Sequence, residues 1–572
     1  MDIGRVLVLG LGKSGKSVAR YCADLLGTRV SSLFIAAGAR NDDSAAFVES
    51  LACDGVSYAF GDDALDQFAA DEQVFDVCIA SPGIPYWHKL YATGEAISAE
   101  LISEVEFAWR ESSPDSTWIA ISGTNGKTTT TSCCAHVLRE CGFAAAAVGN
   151  IGDVCLDAVQ AGGTDVYVAE VSSYQLYSTR FFAPDVAMML NITPDHIHWH
   201  KTFEAYRDAK FKMLDNMSQA KLAHKGAAPG GTGAPERRPG ASEAATRGGR
   251  SGSEDCLSER SERVPQLLRP TEERESQRTL GTAPARPFPR GLQTSEKAKL
   301  AESVAILDAT NDVVRAKVRE LKGLSLEERG FDYIPMGTAD GFGGDMRARC
   351  GADNAAFIDE DRIMRVAYAG EEHALLCTDE LQIKGAHNAS NALAAAAVAV
   401  VLGADDAKIS EALKSFPPLE HRIEPCGVID GVECFNDSKA TNVDATLKAL
   451  EAFPGRRIVV LLGGDDKGTE LEELVKSTYA HAEAAVCFGT AGERFEKAFQ
   501  QAADLAPAGF ELVHRCHLSD ALDAALDLAG QGDVVLLSPA CASFDEFSSF
   551  EHRGRVFKQL VAQRAAAAAG GE

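Results

Sequence analysis

Trp118-Ile119-Ala120-Ile121-Ser122-Gly123-Thr124-Asn125-Gly126-Lys127-Thr128-Thr129-Thr130-Thr131 is the stretch on which the reading of the fold turns. Trp118–Ser122 is apolar enough for a buried strand, and Gly123–Thr128 is a tight glycine turn before a helix-compatible run. Such a turn lets backbone N–H groups wrap phosphate oxygens. Lys127 brings a positive charge to the β- and γ-phosphates, and the Thr128 hydroxyl suits Mg²⁺. The spacing is shorter than the full GxxxxGK[ST] loop, because Ile121 stands where the first glycine would be.

Upstream, Arg5–Leu9 reads as a strand, Gly10-Leu11-Gly12-Lys13-Ser14-Gly15 as a dinucleotide-type turn, and Lys16–Leu26 as a helix. An NAD site needs an acid at the end of the next strand to hold ribose hydroxyls. That region is Ser32-Leu33-Phe34-Ile35-Ala36-Ala37, without one. A nucleotide-sugar diphosphate is the better match to this turn. Val74–Ala80 is a further strand, ending at Ser81-Pro82-Gly83-Ile84-Pro85. Downstream, strands are expected at Val166–Val171, Val186–Asn191, Ile458–Leu462, Ala485–Phe488 and Val534–Ser538, with helical stretches between them. This alternation is that of doubly wound α/β domains.

The 572 residues exceed what two ordinary domains need. A net charge of −27 disfavours nucleic acid and anionic membranes as partners. The 15 cysteines form no CxxC pair and no zinc-spaced ladder, and read as reduced core thiols. No apolar run approaches membrane-spanning length, and the N-terminus has no signal-peptide pattern, so a cytoplasmic protein is expected. Residues 221–296 differ from the rest, being rich in Gly, Pro, Ser, Arg and Glu and poor in aliphatics. They read as a disordered insertion.

Further motifs follow in order: Gly149-Asn150-Ile151-Gly152, Glu170-Val171-Ser172-Ser173, Asn191-Ile192-Thr193-Pro194-Asp195-His196, His387-Asn388 with Asn391, and Asn436-Asp437-Ser438-Lys439-Ala440-Thr441. With the GTNGKT turn, this ordered set resembles the muramyl ligases. Ser81–Pro85, Gly463-Gly464-Asp465-Asp466-Lys467-Gly468, Ser538-Pro539-Ala540-Cys541-Ala542-Ser543 and the run Phe544–Gly554 look like its D-glutamate-adding branch.

The resemblance implies a three-domain α/β chain. Residues 1–110 would form a Rossmann-like domain for the UDP-muramoyl substrate. Residues 111–416 would form a central P-loop-type ATPase domain carrying the insertion, and 417–572 a Rossmann-like domain for the amino acid. It implies ATP-dependent joining of D-glutamate to UDP-N-acetylmuramoyl-L-alanine through an acyl phosphate, with ADP and phosphate as products, by a monomer serving peptidoglycan synthesis.

Residue by residue, it implies ATP contacts at Gly123, Thr124, Asn125, Gly126, Lys127, Thr128, Thr129, Asn388, Asn391, Arg422, Asp437 and Lys439. Thr128, Glu170, His196 and a carbamylated Lys210 would hold two Mg²⁺ ions. Lys127, His196, Lys210 and Lys439 would be catalytic. Ser14, Ser81, Gly83 and Asn150 would meet the UDP substrate, and Thr441, Lys467, Ser543 and Phe550 the D-glutamate. The residue types suit these tasks. Lysine and hydroxyl donors meet carboxylates and phosphates, and hard oxygen ligands meet Mg²⁺. Carbamylation needs a neutral amine, which burial favours. The Ala36–Asp42 segment matches no uracil-binding pattern.

Overall fold

The computed structural model describes residues 2–51, 53–70, 75–217, 303–338, 353–383, 385–466 and 468–569. The segment 221–296 and Lys467 lie outside the described residues. The described residues form an α/β structure with three sheets.

The first sheet has β1 (Gly4–Leu9), β2 (Val30–Ala37), β3 (Val56–Phe60), β4 (Val77–Ala80) and β5 (Leu101–Ser103). Its order is β3-β2-β1-β4-β5, all parallel. β4 is buried along its whole length, as expected for strands covered on both faces. It begins at Val77 rather than the expected Val74, which lies outside the described residues. The first helix runs Lys13–Asp24, so the turn enters it three residues earlier than its polar start suggested.

The second sheet contains β6 (Thr117–Ser122), β7 (Ala145–Gly149), β8 (Val166–Glu170), β9 (Val186–Met189), β10 (Val304–Asp308), β11 (Asp332–Thr338), β12 (Ala355–Ile358), β13 (Ile363–Tyr368) and β14 (Glu371–Cys377). Its order among the described residues is β14-β13-β12-β11-β10-β9-β6-β8-β7. β6 to β12 run parallel, and β13 and β14 close the edge as antiparallel strands. β8 and β9 end before Val171 and Asn191, where the chain turns out of the sheet. The helix Ala386–Val401 buries its run of alanines against the helix Lys127–Glu140. Small side chains allow this close approach.

The third sheet contains β15 (Glu424–Ile429), β16 (Val432–Asn436), β17 (Ile458–Gly463), β18 (Ala484–Phe488), β19 (Glu511–His514) and β20 (Val534–Leu537), in the order β15-β16-β20-β17-β18-β19. All pairs are parallel except β15 with β16.

The first and second sheets share one apolar core. Trp109 meets Phe182 edge-on at 6.0 Å between ring centroids, and Trp118 stacks on Tyr167 at 4.8 Å. Buried Glu106 joins the same junction by accepting from the Phe181 N–H at 3.1 Å and from the backbone N–H of Arg180. Among the described residues, no helix is long and apolar enough to cross a membrane.

Candidate active site

A cavity of about 1340 Å³ opens where carboxyl ends of parallel strands from all three sheets converge. This is where doubly wound sheets bind ligands, since strand ends there pass into loops and helix N-termini. Its walls include the turns after β1, β4 and β6, the ends of β7, β8 and β10, and the loop after β16.

The glycine turn after β6 is held from outside. Thr124 and Asn125 donate their backbone N–H groups to the Asn191 carbonyl and side-chain oxygen, both at 2.8 Å. Thr124 Oγ1 lies 2.9 Å from the Tyr206 hydroxyl. Gly126 has φ +84°, and a Cβ there would stand 2.6 Å from Asn391 Oδ1. Glycine adopts that conformation without a steric penalty and leaves the Asn391 amide its place. Lys127 Nζ folds back to donate to the Gly123 and Thr124 carbonyls, both at 2.8 Å. Burial lowers its pKa.

Glu170, at the end of β8, accepts from Asn150 Nδ2 at 3.1 Å through Oε1. Its Oε2 is buried with no hydrogen-bond partner among the described residues. An orphaned carboxylate oxygen on a cavity wall is costly unless something cationic meets it. Thr128 lines the same cavity. The two oxygen donors fit Mg²⁺, which binds through one or two protein ligands and keeps waters and phosphate oxygens. No cluster of three or more His, Cys, Asp or Glu suited to a metal exists among the described residues.

The third sheet supplies the opposing wall. Lys439 Nζ donates to Thr128 Oγ1 at 2.9 Å and lies 5.6 Å from the Phe550 ring centroid. Burial, then the Arg422 charge, lowers its pKa to about 8. Asp437 is pushed up to about 7 by burial, against the pull of Arg422 and a 2.8 Å hydrogen bond from Ser538 Oγ. Arg422 Nε is buried without a hydrogen-bond partner among the described residues. Thr441 lines the cavity beside them.

At the other end, Ser81 Oγ donates to the Gly10 carbonyl at 3.3 Å, so the turns after β1 and β4 support each other. Ser14, Ser81 and Gly83 line the cavity there, and Asn150 lines it beside Glu170.

Two family models match the chain: Mur ligase middle domain over residues 121–224, and Mur ligase, glutamate ligase domain over 421–541. The UDP-N-acetylmuramoylalanine–D-glutamate ligase of Koribacter versatilis is 31% identical over 563 residues, covering 98% of each chain. The chain belongs to the Mur ligase family. The enzyme of the same name from Acidobacterium capsulatum is 31% identical over 571 residues, covering 99% of this Mur ligase and 97% of that protein. The MurF ligase of Thermotoga maritima, solved with ADP, has the same fold, with TM-score 0.50, 14% identity, and coverage of 99% and 96%.

Some residues expected at the ligands of this Mur ligase do not line its cavity. Lys210 Nζ is turned to the Gly123 carbonyl at 2.8 Å, below the glycine turn, because a buried amine must find an acceptor. Burial and then the Lys127 charge bring its pKa well below the ordinary lysine value. His196 stands on the loop after β9 at φ 53°, its ring 4.9 Å from Tyr174. Asn388 is buried and accepts from Asn391 Nδ2 at 3.3 Å. Asn391 accepts from Thr130 Oγ1 at 3.1 Å, so the pair also ties two helices together. Asn391 still reaches the cavity and Asn388 does not. Thr129 and Ser543 are buried, and neither they nor Gly123 line it.

Arg553 carries no functional motif of its own in the sequence. It is fully buried and donates to Ser438 Oγ, Ser438 O, Ala542 O and Cys541 O at 2.8–3.0 Å. It thereby pins the Asn436–Thr441 loop to the Ser538–Ser543 loop. The only sequence signal was its place in the Phe544–Gly554 run.

Proposed function

We propose that this Mur ligase joins D-glutamate to UDP-N-acetylmuramoyl-L-alanine at the expense of ATP. The substrate carboxylate attacks the γ-phosphorus, giving ADP and an acyl phosphate. The D-glutamate amine then attacks the acyl carbon, and phosphate leaves. The names of the full-length relatives support this choice of substrates.

The observation that carries the reading is the convergence of Lys127, Arg422 and Lys439 on one cavity with Glu170. A carboxylate and a triphosphate repel each other, and preorganised cations stabilise the charge that builds between them. Near neutral pH, Lys439 remains mostly protonated at a pKa of about 8. Thr128 and Glu170 would hold Mg²⁺, which when bound neutralises charge on the phosphoryl oxygens. The Lys210 amine, depressed by burial, is suited to attack CO₂ and lose a proton, leaving an anionic carbamate. From its place below the turn, the carbamate would offer an anionic oxygen ligand to a second Mg²⁺.

We assign 1–110 to the UDP substrate, 111–416 to ATP and 417–572 to D-glutamate. Ser14, Ser81, Gly83 and Asn150 face the first ligand, and Thr441 and Phe550 the last. The test is an ADP-release panel over acceptors and amino acids. Release should require both D-glutamate and UDP-N-acetylmuramoyl-L-alanine. Release with L-glutamate and a folate acceptor instead would overturn the reading.

A further inference from the structure

Asp308 closes β10 and lines the cavity, yet none of the ATP-binding sequence motifs includes it. It is 7% exposed. Its Oδ1 accepts from the Thr310 backbone N–H at 3.0 Å and from Thr310 Oγ1 at 2.6 Å. No described residue hydrogen-bonds Oδ2. Lys448 lines the cavity from the helix Val443–Leu450 of the third sheet's domain. It too makes no hydrogen bond or ion pair with a described residue. Asp444, one turn earlier, is engaged by Thr193 Oγ1 at 2.7 Å. Asp308 and Lys448 sense each other's charge without forming an ion pair.

The sheet order says which end of a nucleotide meets them. Glu170 ends β8, the neighbour of β6 on one side, and β10 is two strands from β6 on the other. At the usual strand spacing, β10 stands about 10 Å from the glycine turn's strand, away from the metal-binding side. That separation is about the reach from a nucleotide's terminal phosphates to its nucleoside. A carboxylate at this point would repel phosphate. It also has a lysine for a neighbour, which disfavours a second divalent cation. It matches uncharged donors: ribose hydroxyls or an exocyclic amine.

We infer that Asp308 and Lys448 form the nucleoside end of the nucleotide site. Asp308 Oδ2 accepts from a sugar hydroxyl or the base amine, while Lys448 donates to nucleoside acceptor atoms from the opposite wall. The two walls belong to different sheets, so the nucleoside bridges them. This rests on the ATP-dependent reading and names residues that select the nucleotide within it.

The test is calorimetric binding of ADP, 2′-deoxy-ADP, 3′-deoxy-ADP and inosine diphosphate to the full chain with Mg²⁺ and no other substrate. The wild type should bind one analogue about ten-fold or more weakly, since a hydrogen bond to a charged group is lost. Weakness of a deoxy form assigns the sugar, and weakness of the inosine form assigns the base. Asp308→Asn keeps an acceptor for Thr310 but presents a donor on the other side. It should weaken ADP by a similar factor and erase the preference. Lys448→Met should weaken ADP several-fold and keep the preference; if Asp308→Asn does not fold, this variant decides. Wild-type affinity and ranking in Asp308→Asn, or in its absence unchanged ADP binding in Lys448→Met, would overturn the inference alone. A wild-type chain that binds no ADP would overturn the ATP reading as well.

Discussion

Lys439 Nζ lies 2.9 Å from Thr128 Oγ1, although 311 residues separate them. One belongs to the loop after β16 and the other to the first turn of the helix after β6. A hydroxyl suited to a metal is thus occupied by a lysine from another sheet. When a magnesium nucleotide enters, Lys439 should exchange this hydroxyl for a phosphate oxygen.

Lys439→Ala should therefore cut ADP release by about 100-fold or more, the cost typical of losing one preorganised charge stabiliser. Its melting temperature should stay near the wild type's, because the hydroxyl it leaves faces the cavity. Steady-state assays paired with thermal melts check this. A variant with near-normal turnover would remove Lys439 from the chemistry.

Lys210→Ala should lose most activity, by roughly two orders of magnitude, and added bicarbonate should not restore it. Labelled bicarbonate should give the wild type a carbamate carbon resonance that the variant lacks. Full activity in the variant would reject the carbamate, and so would a wild-type spectrum without that signal in an active enzyme.

Glu104 should make stability fall as pH rises. It is buried between the helices Glu104–Glu111 and Cys155–Ala161, accepts from the Leu156 N–H at 2.8 Å through Oε1, and leaves Oε2 without a hydrogen-bond partner among the described residues. Burial raises its pKa to about 7 from 4.5. The folded state thus holds the proton more tightly than the unfolded chain. That contribution is complete below pH 4.5 and is lost as pH rises through about 7, with an upper size of roughly 3 kcal/mol. Glu104→Gln keeps an acceptor for Leu156 and cannot ionise. It should melt higher than the wild type at pH 8 and converge with it towards pH 5. Parallel melting curves across that range would refute the ionisation.

Arg553→Met should weaken the third sheet's domain by about 3 kcal/mol, since the Ser438 and Cys541 carbonyls lose the donor that Arg553 gives them, while Ser438 Oγ and the Ala542 carbonyl keep Phe550 O and the Asp465 N–H as partners. KM for the amino acid should rise, because the Ser538–Ser543 loop loses its anchor. Denaturant melts and amino-acid saturation curves measure both effects. Unchanged values in both would show that the loops hold each other without it.

Local order was legible wherever one segment carried its own pattern. The strand of Thr117–Ser122 and the turn to Lys127 follow from a buried apolar run that must stop at glycine. The Gly10–Gly15 turn was equally plain, although its helix starts at Lys13. Motif order was enough to place the chain among the Mur ligases. It did not tell which motif residues reach the cavity. Asn388 and Asn391 look alike in sequence, but the helix turns one into a buried partner and the other towards the ligand wall.

The sequence by itself determined the alternation of strands and helices, the glycine turns and the family, because these depend on periodicity and on backbone freedom at single residues. Tertiary structure alone decided which charges meet. Lys439 finds Thr128, Glu170 is left with an oxygen that no described residue pairs, Lys210 turns beneath Gly123, and Asp308 and Lys448 line one cavity. Electrostatic contacts depend on distance and burial in space, and three sheets whose strand ends converge bring together groups hundreds of residues apart.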